Sequence, residues 1–111
     1  MAYNIKLAAK LRTALSGISN VEEKKMFGGL AFLVNDKMCI NVSGDKLMCR
    51  FDANMEDEVS MKNGYEKVIM NGKVFKGYCY VKPEGFKTKK DFDFWIDLCL
   101  KFNDKAKSSK R

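Results

Sequence analysis

Histidine is absent from the chain, and proline occurs once, at Pro83. Without histidine, the usual general base near neutral pH and the commonest transition-metal ligand are both missing. Cysteine is sparse: Cys39, Cys49, Cys79 and Cys99, none of them in a C-x-x-C pair. A zinc site of the usual kind would have to draw on all four scattered thiolates, and a disulfide framework is not expected at this density without a signal peptide. No apolar run reaches the length of about 18 residues that a membrane-spanning helix needs. The opening Met1-Ala2-Tyr3-Asn4-Ile5-Lys6 lacks the basic and apolar regions of a secretory signal. A cytoplasmic protein with reduced thiols packed as small core hydrophobes is expected. The sequence has no G-x-S-x-G, no P-loop and no G-x-G-x-x-G. No enzyme activity, cofactor, metal or small-molecule substrate is inferred.

What is present suits one domain. The chain has 111 residues, 46% of them hydrophobic, enough for a core without staples. The net charge of +7 invites a nucleic-acid reading. Position tempers it, because Lys105, Lys107, Lys110 and Arg111 crowd the end; without them 17 basic residues face 14 acidic ones. The expected organisation is a domain over residues 1–104 and a basic disordered tail over 105–111.

Leu7, Ala8, Leu11, Ala14, Leu15 and Ile18 recur at helical spacing, with Gly17 as a C-terminal cap. Three strands follow: Leu30 to Val34, Met38 to Val42 and Leu47 to Phe51. A three-residue turn over Asn35 to Lys37 would pair Val34 with Met38 and Phe32 with Ile40. A Gly44-Asp45 turn would pair Val42 with Leu47, Ile40 with Cys49 and Met38 with Phe51. Those registers put Leu30, Phe32, Val34, Met38, Ile40, Val42, Leu47, Cys49 and Phe51 on one core face. Ala31, Leu33, Cys39, Asn41, Met48 and Arg50 take the other, where Leu33 and Met48 suggest a partner surface. Asp52 to Asn63 reads as a short helix or irregular crossover. Asn71-Gly72 between two apolar runs is a strong hairpin signal, and Lys82-Pro83-Glu84-Gly85 turns the chain. Thr88, with Asp91 three residues on, opens a closing helix whose stripe is Phe92, Trp95, Cys99 and Phe102. The fold class is α+β: two layers, an antiparallel sheet of about five strands with helices on one face, ordered α-βββ-(α)-ββ-α.

Few residues carry candidate chemistry. Cys39, sharing a face with Arg50, is the best placed thiol, yet a buried, idle thiol is the better reading. Lys24-Lys25 beside Gly28-Gly29 could cradle an anion, although a tight entry into a strand explains the glycines as well. Phe75-Lys76-Gly77-Tyr78 sets aromatic beside basic residues, as on the stacking surface of an RNA-binding sheet. The candidate interaction residues are Lys24, Lys25, Gly28, Gly29, Arg50, Lys76 and Gly77. A protein partner or a homodimer is expected, with nucleic acid as the alternative, and no membrane.

Lys24-Lys25-Met26-Phe27-Gly28-Gly29-Leu30-Ala31-Phe32 resembles the opening signature of the TfoX/Sxy N-terminal domain. Val42 to Arg50 looks like its second block, Gly72 to Val81 like its third, and Trp95 falls where the family has a tryptophan. The resemblance runs from about Glu23 to Asn103. It implies a two-layer fold similar to that of type III secretion chaperones, in a bacterial cytoplasmic protein. It also implies a regulatory role: two-domain members of the family positively regulate competence genes together with the cyclic-AMP receptor protein. The family defines no catalytic residues, so the resemblance implies none here.

Overall fold

The computed structural model describes residues 3–26 and 28–105. Phe27 and the expected tail beyond Lys105 lie outside the described residues. Helix α1 (Ile5–Ala14) leads into strands β1 (Val21–Met26), β2 (Gly29–Val34), β3 (Lys37–Ser43) and β4 (Lys46–Arg50). A single 3₁₀ turn and the one-turn helix α2 (Glu56–Val59) cross to β5 (Tyr65–Met70) and β6 (Lys73–Val81), and helix α3 (Lys89–Asn103) closes the chain. The six strands form one antiparallel sheet in the order β1-β2-β3-β4-β6-β5. The α+β class expected above is the observed one, with one strand more. That strand, β1, reads Val-Glu-Glu-Lys-Lys-Met and has no hydrophobic alternation, so its pairing with β2 makes it a strand. It is an edge, and charge on an edge blocks pairing with other chains.

Side-chain caps set the helix starts. Asn4 Oδ1 accepts the Leu7 N–H at 3.0 Å, and Thr88 Oγ1 accepts the Asp91 N–H at 3.1 Å. The first helix ends at Ala14, with Leu15 as its C-cap, and does not run on through Ile18 to a Gly17 cap. Asn20, at φ 59°, reverses the chain into β1, and Ile18 is left exposed. Arg12 of α1 then ties the helix to the new strand: Nε and Nη2 donate to the two Glu23 carboxylate oxygens at 2.6 and 2.7 Å. This bidentate pair holds the Glu23 carboxyl below its ordinary range.

The core lies between the sheet and helices α1 and α3. Leu7, Leu11 and Leu15 from one side and Phe92, Trp95, Ile96 and Cys99 from the other meet Phe32, Ile40, Val42, Leu47, Cys49 and Val81. Trp95, the largest of the fully buried side chains, donates its indole N–H to the Gly85 carbonyl at 3.0 Å.

The β2–β3 register differs from the expected one. The turn has two residues, Asn35 and Asp36, both left-handed at φ 53° and 66°, and it pairs Val34 with Lys37. A bulge then restores the pairing of Phe32 with Ile40 by skipping Cys39. Two side chains change places as a result. Met38 leaves the main core and clusters with Ala31 and Leu33 on the opposite face, while Cys39 enters the main core. Gly29 fits the same region tightly, because a Cβ there would sit 2.0 Å from the Val42 carbonyl oxygen.

Gly29→Ala therefore forces β2 and β3 apart. We expect a loss of about 3 kcal/mol in urea unfolding, measured with the tryptophan fluorescence of Trp95. An unchanged midpoint would contradict the close approach.

Candidate interaction surface

Strand β6 is longer than the sheet that supports it. Its partner β4 pairs only with Tyr78 to Val81. One further bond closes that ladder, from the Phe51 N–H to the Gly77 carbonyl at 2.8 Å. Gly77 stands at φ +85°, where a Cβ would lie 3.1 Å from the Phe51 carbonyl oxygen, so only glycine fits this bend without strain. Beyond it, β5 and β6 pair with each other alone, through Ile69 with Val74 and Met70 with Lys73, to a tight turn at Asn71 and Gly72 with φ 53° and 77°. The result is a two-stranded arm beyond the last β4 rung.

Apolar side chains that sequence patterning would bury stand open on this arm. Ile69 is 63% exposed, Val74 46% and Phe75 40%. The Phe75 ring stacks on Tyr78, with centroids 4.4 Å apart and planes 15° from parallel. Arg50 lies beside this pair: its guanidinium is 5.8 Å from the Tyr78 ring and equally far from Phe102, and Nη1 donates to the Met38 carbonyl at 3.4 Å. The arm's base is clipped by Glu56. One carboxylate oxygen accepts the Tyr65 hydroxyl; the other accepts the Gly77 N–H at 3.3 Å. Burial, and then this bond to Glu56, push the Tyr65 phenol above its ordinary value. Close by, Lys46 pairs with Glu66 at 2.6 Å and lies over the Tyr80 ring.

The sequence-derived candidates divide between two ends of the sheet. Lys24 and Lys25 lie exposed on β1, and Gly28, at φ 73°, turns the chain into β2. Arg50, Lys76 and Gly77 lie around the arm. Edge strands β1 and β5 are separated by five strand spacings, roughly 24 Å, so the two groups do not form one patch. Leu33 and Met48, expected to offer a partner surface, are buried instead: Leu33 packs with Ala31, Met38 and Tyr78, and the Asn41 amide nitrogen reaches the Met38 and Met48 sulfurs at 3.5 and 3.7 Å. Ile69, Val74 and Phe75 carry the open apolar surface of the arm; elsewhere Ile5, Ile18 and Met61 are exposed singly. Strand patterning could not single out the three on the arm, because alternation does not show where a neighbouring strand stops.

Cys39 does not face outward beside Arg50 as expected. All four cysteines are buried and free. Cys39 and Cys49 contact Cys99, and Cys49 lies directly opposite Cys79 across the β4–β6 pair. Burial, first of all, pushes the Cys49 thiol well up. Burial opposes charge on Cys99 too, but donation from Cys39, Cys49 and the Arg50 backbone N–H pulls it down. No three thiol or carboxylate groups among the described residues are disposed to hold a metal ion. None of the described helices is long and apolar enough to cross a membrane.

A two-layer α+β domain with a thiol-lined core and an apolar, cationic arm is thus the class the structure defines. The family model for the TfoX N-terminal domain matches residues 13–103, most of the chain. The chain belongs to that family. No curated protein and no solved structure matches it.

Two outcomes follow. The folded chain should resist a thiol-specific chromogenic reagent, all four cysteines reacting only as fast as the domain opens; a rapid stoichiometric phase in native buffer would contradict their burial. The Tyr65 phenol, raised in the folded state, contributes stability that is complete below its unfolded pKa of about 10 and is lost as pH climbs above that value. Wild-type protein should therefore lose stability faster than Tyr65→Phe between pH of about 10 and the onset of alkaline unfolding. Parallel pH profiles would show that the clip is not made.

Proposed function

We propose that this domain is a non-enzymatic regulatory module of the TfoX type, acting in the bacterial cytoplasm on the transcription of competence genes by binding a macromolecular partner. Membership of the TfoX N-terminal domain family supports the regulatory reading. The observation that carries the binding mode is the arm: three of the six large hydrophobic side chains exposed among the described residues, Ile69, Val74 and Phe75, lie together on it. Apolar surface held open on both sides of a protruding arm marks a docking element. The family defines no catalytic group, and the thiols, the strongest nucleophiles in the chain, are sealed from solvent. Regulation by binding needs neither.

Transcript profiling tests this reading. Three strains are compared: one with the gene intact, one with it deleted, and one producing Phe75→Ala at the wild-type level. Deletion should lower competence-gene transcripts, and Phe75→Ala should lower the same set. Transcripts unmoved by deletion would sink the regulatory role; a normal profile in the Phe75→Ala strain would remove the arm from it.

A further inference from the structure

We infer that the β5–β6 arm is a binding site for single-stranded nucleic acid, its Phe75–Tyr78 pair stacking an unpaired base and its lysines holding the phosphates on either side. The inference rests on the regulatory reading and gives its partner a chemical class.

Charge argues first. From Lys67 to Val81 the chain holds Lys67, Lys73 and Lys76 and no acidic residue. All three lysines are exposed, and none pairs with a carboxylate of the described residues. Two acids at its base are committed: Glu56 to Tyr65 and Gly77, Glu66 to Lys46. A polyanion is the matching partner. A second copy of the chain is the weaker match, because the arm it would bring carries the same three lysines.

Ring geometry selects among polyanions. Phe75 and Tyr78 lie nearly parallel at base-stacking distance, and Phe75 keeps 40% of its surface open. Alternation along β6 puts Lys73 on the same side of the arm as Phe75, with Val74 and Lys76 on the other. An exposed ring with Lys73 on its own side of the arm, Lys76 and Lys67 on the other, and the Arg50 guanidinium 5.8 Å from the second ring suits bases of a single strand held without reading their edges, its backbone wrapping the narrow arm. An acidic polypeptide offers the charges but no flat π-face for Phe75. A duplex keeps its base faces stacked inside the helix.

Fluorescence anisotropy of the purified full chain tests this against a labelled DNA single strand, the corresponding duplex and labelled polyglutamate, over a salt series. The single strand should bind most tightly. Its log affinity should fall against log salt with a slope near −2, about −0.7 for each of three phosphates. Phe75→Ala should weaken single-strand binding about tenfold, the loss of one stacked base, while retaining thiol protection as proof of folding. Lys73→Glu with Lys76→Glu should flatten the salt slope, and replacing Lys107, Lys110 and Arg111 by glutamine should leave affinity within about twofold. The inference is overturned by no binding at low salt, by equal or tighter binding of duplex or polyglutamate, by full affinity in a folded Phe75→Ala variant, or by loss of binding in the tail variant. Any of these leaves the transcript experiment standing, so failure of this ligand and failure of the regulatory role are read separately.

Discussion

The last rung of the β4–β6 ladder, from the Phe51 N–H to the Gly77 carbonyl at 2.8 Å, divides the molecule into two regimes. On one side of it β2, β3, β4 and β6 are each paired on both edges, helices α1 and α3 pack on the sheet, and most apolar side chains are buried. Beyond it two strands continue with no third, and their side chains meet water on both faces. Gly77 makes the division by adopting a left-handed conformation that a larger residue would hold only under strain. Burial and exposure here follow from where one strand ends, more than from local hydrophobicity.

Much of the fold was legible because it rests on short-range rules. Asn71-Gly72 and Gly44-Asp45 both turn the chain where expected, Thr88 caps the final helix, and the stripe of Phe92, Trp95 and Cys99 faces the sheet. Each is a contact between residues a few positions apart, or a periodicity within one element. The candidate surface was legible only in part. Phe75, Lys76, Gly77 and Tyr78 stood out as an aromatic and basic run, but nothing local marked Ile69 and Val74 as exposed, since an apolar pair facing each other across a hairpin looks the same in a buried hairpin.

Long-range constraints account for the rest. The strand Val21–Met26 has the composition of a charged loop and acquires its conformation from the hydrogen bonds of β2. The bulge at Cys39 arises because a two-residue turn at Asn35-Asp36 offsets the pairing by one residue and the Phe32–Ile40 contact must still form. That single offset carries Cys39 from the outer face to the core and Met38 the other way, which is the consequence of a side-chain period of two. It also gathers the thiols. Cys39 and Cys49, which the simple register separates onto opposite faces, both reach Cys99 once the bulge is made.

A two-stranded hairpin alone is at best marginally stable in water, so the arm must borrow order from its base. Glu56 supplies it by accepting from Tyr65 at the start of β5 and from Gly77 in β6. Glu56 is also the first residue of α2, whose Val59 is anchored in the main core. The one-turn helix α2 is therefore the strut between the buried and exposed halves of the domain. Its position explains why a carboxylate sits so close to a cationic surface without cancelling it: both oxygens are occupied by neutral donors, and the lysines of the arm pair with no carboxylate of the described residues. The same clip holds Gly77 in the bend that stops the β4 ladder, so one side chain fixes both where the sheet ends and how the arm beyond it is presented.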